Sequence, residues 1–179
     1  MFLDISMQKE IESLKQRAKE KNKENKKFLD RLKKKPPKHL DTQMQELHTE
    51  TFNEVDCLEC ANCCKTTSPI VTDKDTNRIA KHLKMKAQVF EEQYLRVDED
   101  GDRVFKNAPC EFLASDNYCL IYDVRPKACA EYPHTNRKKF HLINKITLEN
   151  TAVCPATFRI VEKLKEKLHV PTKEPRTER

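Results

Sequence analysis

The chain has 179 residues, of which 36% are charged and 37% apolar, with no Trp and a single glycine. That length allows one domain with an appendage, and the thin apolar supply calls for a staple of disulfide or metal. One glycine excludes a P-loop, a Rossmann fingerprint and a Gly-rich methyl-donor loop, each of which needs several. The net charge of +6 sits unevenly: residues 1–38 hold 13 Lys/Arg against 6 Asp/Glu, the rest 22 against 23.

Residues 4–34 are polar, Lys-rich and free of Gly and Pro. Ile11, Leu14 and Ala18, then Phe28, Leu29 and Leu32, recur at helical spacing with a polar run between them. The pattern predicts a long helix that docks at its ends and is solvated in the middle. Pro36 and Pro37 stop it. The arm admits contact with nucleic acid or an acidic surface. Acids interspersed among its lysines favour a solubilising helix instead, and no aromatic interleaving suggests base stacking. The first 30 residues hold no continuous apolar run, so neither a secretory signal nor a membrane span is expected. The expected location is cytoplasmic, where thiols stay reduced and available to metal.

A second helix is expected over 40–55, with Leu40, Met44 and Leu47 on one face and His48 at its polar edge. The densest chemistry follows at once. Cys57-Leu58-Glu59-Cys60-Ala61-Asn62-Cys63-Cys64 places four thiols in eight residues. C-x-x-C lets one turn aim two sulfurs at one ion, and repeating it gives three ligands on one loop. Neighbouring side chains on an extended or turning backbone point apart, so Cys63 and Cys64 are not expected to share one small ion, and one of the pair serves a second site or a multi-iron cluster.

Beyond the run, Thr72 should cap a helix with acids in its first turn, and Lys86-Ala87 starts another. Arg96-Val97 and Arg103-Val104-Phe105 read as a β-hairpin around Gly101. Asp98, Asp100 and Asp102 in its loop lack the closing Glu of a calcium loop, so a solvated turn is expected. Cys110, Cys119 and Cys129 then recur beside aromatic and aliphatic residues, a setting that shields a thiolate–metal site from water. Pro126 opens a short helix that presents Cys129. Arg125 either neutralises the site or pairs with Asp123 or Glu131. Residues 139–153 fit strand or helix. Cys154-Pro155 precedes an amphipathic helix with Phe158, Val161, Leu164, Leu168 and Val170 as anchors, then a polar tail.

The expected fold is mainly α with a small β-hairpin, an irregular domain stapled by cysteine-ligated metal. Its divisions are a basic helical arm (1–38), a cysteine-cluster domain (39–170) and a tail (171–179). The candidate metal ligands are Cys57, Cys60, Cys63, Cys64, Cys110, Cys119, Cys129 and Cys154, with a merely buried apolar thiol as the alternative for Cys64 or Cys129. Eight thiols divide into two tetrahedral sets, which suits zinc. Equally, Cys57, Cys60 and Cys63 with the remote Cys154-Pro155 resemble the ligands of an iron–sulfur cluster, leaving Cys64, Cys110, Cys119 and Cys129 as a second set. Four thiolates on one Zn²⁺ leave about −2 of charge.

The ordered motifs D-C-L-x-C-A-x-C-C (Asp56–Cys64), P-C-x-F-L (Pro109–Leu113), C-x-I-Y (Cys119–Tyr122), R-P-x-x-C (Arg125–Cys129), Tyr132-Pro133 and Cys154-Pro155 carry a resemblance. It is to the CxxCxxCC or YkgJ-like family of cysteine-cluster proteins, a group assigned zinc or iron chelation. The resemblance spans roughly residues 50–160 and implies metal chelation by the eight cysteines. The family also includes a bacterial enzyme that methylates flagellin lysines, which keeps an enzymatic reading in view. The two functional classes are therefore a non-catalytic metal-binding module with a structural or redox role, and an iron–sulfur-dependent enzyme or electron carrier. His82, His134 and His141 stand at no catalytic spacing, which favours the first. His134 is the candidate for a supporting donor.

Overall fold

The computed structural model describes residues 5–169; the expected tail and the Val170 anchor lie outside them. The fold is mainly α, as expected. Its helices are α1 (Ile5–Lys34), α2 (Leu40–Glu54), α3 (Cys57–Cys60), α4 (Asn62–Thr66), α5 (Asp73–His82), α6 (Ala87–Tyr94), α7 (Lys127–Glu131), α8 (Asn144–Asn150) and α9 (Pro155–His169). Strands β1 (Leu95–Val97) and β2 (Arg103–Phe105) pair antiparallel, Arg96 opposite Val104. No helix among the described residues is long and apolar enough to cross a membrane.

The chain divides into two compact units. The first comprises Met1–Lys15 and Val55–His134, the second Gln16–Glu54 and Thr135–Arg179.

In the first unit the core is Val71, Ile79, Ala80, Phe90, Leu95, Phe105, Phe112 and Ile121. Its aromatic centre is Phe112, whose ring lies 5.0 Å from Tyr94 and 5.4 Å from Phe105. Thr72 caps α5 in a reciprocal box with Asp75, so the expected start is observed. The hairpin forms around Gly101 at φ +85°, and Asp98 Oδ1 accepts the N–H groups of Asp100 and Asp102 across the turn.

In the second unit α2, α9 and the latter part of α1 share a core built on Phe28, Leu29, Leu32, Met44, Ile160 and Leu164. Lys163 reaches Glu50 and Lys167 reaches Glu46, each at 2.7 Å, lining the α2–α9 seam with exposed ion pairs. The Asp41 carboxylate accepts the N–H groups of Lys139 (2.7 Å) and Phe140 (3.1 Å). That contact seats the ambiguous 139–153 stretch as a short 3-10 turn followed by α8, with Phe140 and Ile143 buried and Leu142 and Ile146 exposed. One expectation for α1 needs amendment. Leu14, Ala18, Phe28, Leu29 and Leu32 are buried as read, but Asn25, in the polar middle, is also fully buried.

Candidate metal centre

The cysteine run folds as two single-turn helices joined at one left-handed residue. Asp56 caps α3 by accepting the Leu58 N–H at 2.7 Å. Ala61 then adopts φ 45°, a conformation costing a non-glycine residue about 1 kcal/mol. The backbone is thereby redirected, and α4 presents Cys63 and Cys64 on a fresh turn. Their sulfurs lie 4.0 Å apart, closer than the expected divergence. The helical backbone of α4, with successive side chains about 100° apart, explains the difference from an extended chain.

Three more cysteines gather around Cys64. Its carbonyl accepts the Cys110 N–H at 2.9 Å, tying the next segment to α4. That segment turns back on itself: Leu113 bridges Cys119, Ala114 N–H donates to the Tyr118 carbonyl, and Asn117 takes φ 69° at the tip. The Asn117 side chain donates to the Glu59 carbonyl at 3.0 Å, fastening this loop to α3. Cys110 and Cys119 each receive a backbone N–H, from Phe112 and Ile121. Such bonds favour a thiolate over a thiol.

Cys129 is presented by α7, whose place is set by a carboxylate that the sequence reading treated only as a helix-start acid. Asp75 is buried and accepts from Thr72, from Arg78 Nη2 at 2.6 Å and from the Lys127 N–H at 3.1 Å. Burial opposes its charge, yet these donors hold its carboxyl below the usual range. Arg78 also donates to the carbonyls of Val124 and Arg125, so one Asp–Arg pair pins the stretch entering α7. Neither Asp75, Arg78 nor Asn117 was singled out for the site. The signal for Asp75 was its place three residues after Thr72; for Asn117, its tolerance of positive φ.

The electrostatics join these segments. The Cys63 thiol hydrogen-bonding to Cys64, with Lys65 nearby, brings Cys64 down to about 7 against burial. Burial pushes Cys110 up to about 11 and Cys129 up to about 12, and a charge on Cys64 raises both further. Cys119 is raised by burial and by Cys64, with Arg125 opposing. Four sulfurs from three segments thus sense one another. They cannot all ionise together without a compensating cation. Arg125 is one such charge: its guanidinium lies 3.8 Å over the Tyr122 ring and lowers Cys119 and Cys129, and the described ion pair of Glu131 is with Lys127.

The apolar surround is one-sided. Phe112 and Ile121 are buried behind the sulfurs, whereas Tyr118, Leu120 and Tyr122 are exposed. Among the described residues no three His, Cys, Asp or Glu side chains already form an ion's ligand shell. The donor set itself fits zinc or iron: soft sulfurs, N–H donors aimed at two of them, and a nearby cation.

Cys57, exposed, and Cys60, buried, bracket α3 in the first unit. Cys154 lies in the second unit at the N-terminus of α9, where its sulfur accepts the Thr157 N–H at 3.5 Å and its carbonyl accepts from Phe158. His134, with φ 66°, donates its N–H to the Glu131 carbonyl just after α7. His48 Nδ1 meets Thr135 Oγ1 at 2.8 Å beside the Phe52 ring, a polar edge residue as read.

A family model titled "putative zinc- or iron-chelating domain", CxxCxxCC, matches residues 56–154. The match covers more than half of the chain and encloses all eight cysteines. The chain belongs to the CxxCxxCC family. Metal chelation is thus the family's character, and the matched stretch begins at the Asp56 cap and ends on Cys154, at the start of α9. No curated protein and no solved structure matches the chain.

Proposed function

We propose that this CxxCxxCC protein chelates zinc or iron through its eight cysteines in a non-catalytic role, structural or redox. Cys64, Cys110, Cys119 and Cys129 hold one ion together. The observation behind this is the tying of three segments to one another: the Cys110 N–H bonds the Cys64 carbonyl, Leu113 bridges Cys119, and Asp75 and Arg78 seat the start of α7. A bound dication supplies the positive charge that lets buried thiols ionise. The protein's own part is to place the sulfurs: the Cys64 carbonyl and Asn117 position the loop, and the Asp75–Arg78 pair positions α7. Because ligands from distant segments meet only in the fold, ion binding adds its free energy to folding.

Elemental analysis and a visible spectrum of anaerobically purified protein test the reading. A colourless protein carrying zinc supports the structural role. A brown protein with iron and sulfide supports the alternative, an iron–sulfur electron carrier or enzyme, and protein lysine methylation then becomes the activity to assay. Cys64→Ser and Cys129→Ser should each lose the same fraction of metal per chain. If only one of them loses metal, the two do not share an ion.

A further inference from the structure

A cleft of about 800 Å³ opens along the latter part of α1, within the second unit. Lys23, Lys27, Arg31, Lys34 and Lys35 line it. Lys23, Lys27, Arg31 and Lys34, spaced four, four and three residues apart, lie on one side of the helix, and Lys35 follows just past its end. Four residues advance about 6 Å along a helix, so the cations form a ladder roughly 17 Å long. The acids in the same wall are already matched, Glu24 with Lys165 and Lys21, Asp30 with Lys26. None of the five ladder cations carries an ion pair among the described residues. The ladder therefore carries net positive charge, with Lys34 partly offset by Asp30.

The chemistry of the wall narrows its partner. Phe28, the one apolar lining residue, is buried beneath Arg31. It offers no platform for an unpaired base and no pocket for a peptide's apolar anchor. No Asn, Gln, Ser or Thr lines it, so only its Arg and Lys side chains donate to a ligand, and these stand in a row suited to successive phosphates. A membrane-lying helix would need exposed large apolar residues on this face, and the face is charged. What remains is recognition by charge alone along a regular polyanion.

We propose that this cleft binds the phosphate backbone of a nucleic-acid duplex, without reading its sequence. The ladder makes about four or five phosphate contacts, each releasing a condensed counterion.

Fluorescence anisotropy of the full-length chain with a labelled 20-base-pair duplex, across a salt series, tests it. The expected slope of log affinity against log salt is about −4. The Lys23→Gln/Lys27→Gln/Lys34→Gln/Lys35→Gln variant should bind at least ~10-fold more weakly, with a slope near −1. These side chains are exposed, so circular dichroism should show unchanged helix. Neutralising Lys81, Lys84 and Lys86, exposed lysines of the first unit, should change nothing. The proposal is overturned by no binding at low salt, or by equal binding of the quadruple variant. It is also overturned if polyglutamate or anionic vesicles compete as well as the duplex, since the cleft would then serve any acidic partner.

Discussion

The side-chain amide of Asn117 donates to the main-chain carbonyl of Glu59 at 3.0 Å, joining the tip of the Cys110–Cys119 loop to the turn between Cys57 and Cys60. Residues 58 positions apart in sequence are thereby held in register across two cysteine segments. Asn117 does this from a left-handed backbone, so two separable contributions reside in one residue.

Their separation is testable. Asn117→Gly removes the hydrogen bond but keeps the backbone, and should cost about 1 kcal/mol. Asn117→Ala adds strain at positive φ and should cost about 1 kcal/mol more. Thermal melts of both variants measure the difference; equal losses would show that the backbone is unstrained at this site.

Asp75→Asn should destabilise by about 2 to 3 kcal/mol, because a buried carboxylate with several donors is replaced by a neutral group that also donates. Its pH dependence has a definite sign. The folded-state pKa of Asp75 lies below the ordinary value of 3.8, so its stabilisation is present above that value and fades as pH falls further. The gap between wild type and variant should therefore be constant from pH 5 to 7 and shrink below pH 4. Urea unfolding at a series of pH values reads it.

In metal-free protein the thiols should alkylate in a fixed order. Cys64, at about 7, reacts readily with iodoacetamide at pH 7.5; Cys129, at about 12, stays protected. Raised thiols also imply a stability limit. The contribution of Cys110 and Cys129 is full below pH 9 and lost as pH rises toward 11 and 12. Mass spectrometry of the labelled sites, timed, checks the order.

Ala61→Gly should leave stability unchanged or raise it by up to about 1 kcal/mol, since glycine takes φ 45° without a steric cost. Ala61→Val should lose stability and release α4 from its orientation. Differential scanning calorimetry distinguishes them.

What the sequence disclosed, and what it withheld, follow from the range of the forces involved. The α5 start at Thr72, the hairpin around Gly101 and the α7 start after Pro126 depend on neighbours within four residues, and each was legible. The eight cysteines were legible as a set because sulfur at C-x-x-C spacing has few other uses. Ala61 gave no sign of its left-handed turn, because alanine has no preference for it. The seating of α7 on Asp75 spans 52 residues, and no local pattern encodes such a contact. Exposure of Tyr118, Leu120 and Tyr122 was also missed, since an apolar residue beside a cysteine reads the same whether it faces the core or water.

The distance in sequence between Cys64 and Cys129 has a consequence during synthesis. Sixty-five residues separate them, so at ribosomal speeds of roughly 5–20 residues per second the first thiols precede the last by about 3 to 13 s. Until that interval ends, Cys57, Cys60, Cys63 and Cys64 stand without α7 and its Cys129, and for most of it without the 110–119 loop. The nascent chain is then most open to oxidation, to the wrong ion and to mispairing between adjacent thiols. Yield of correctly loaded protein should therefore be decided by the redox state and ion supply around the translating ribosome, well before the finished fold can discriminate.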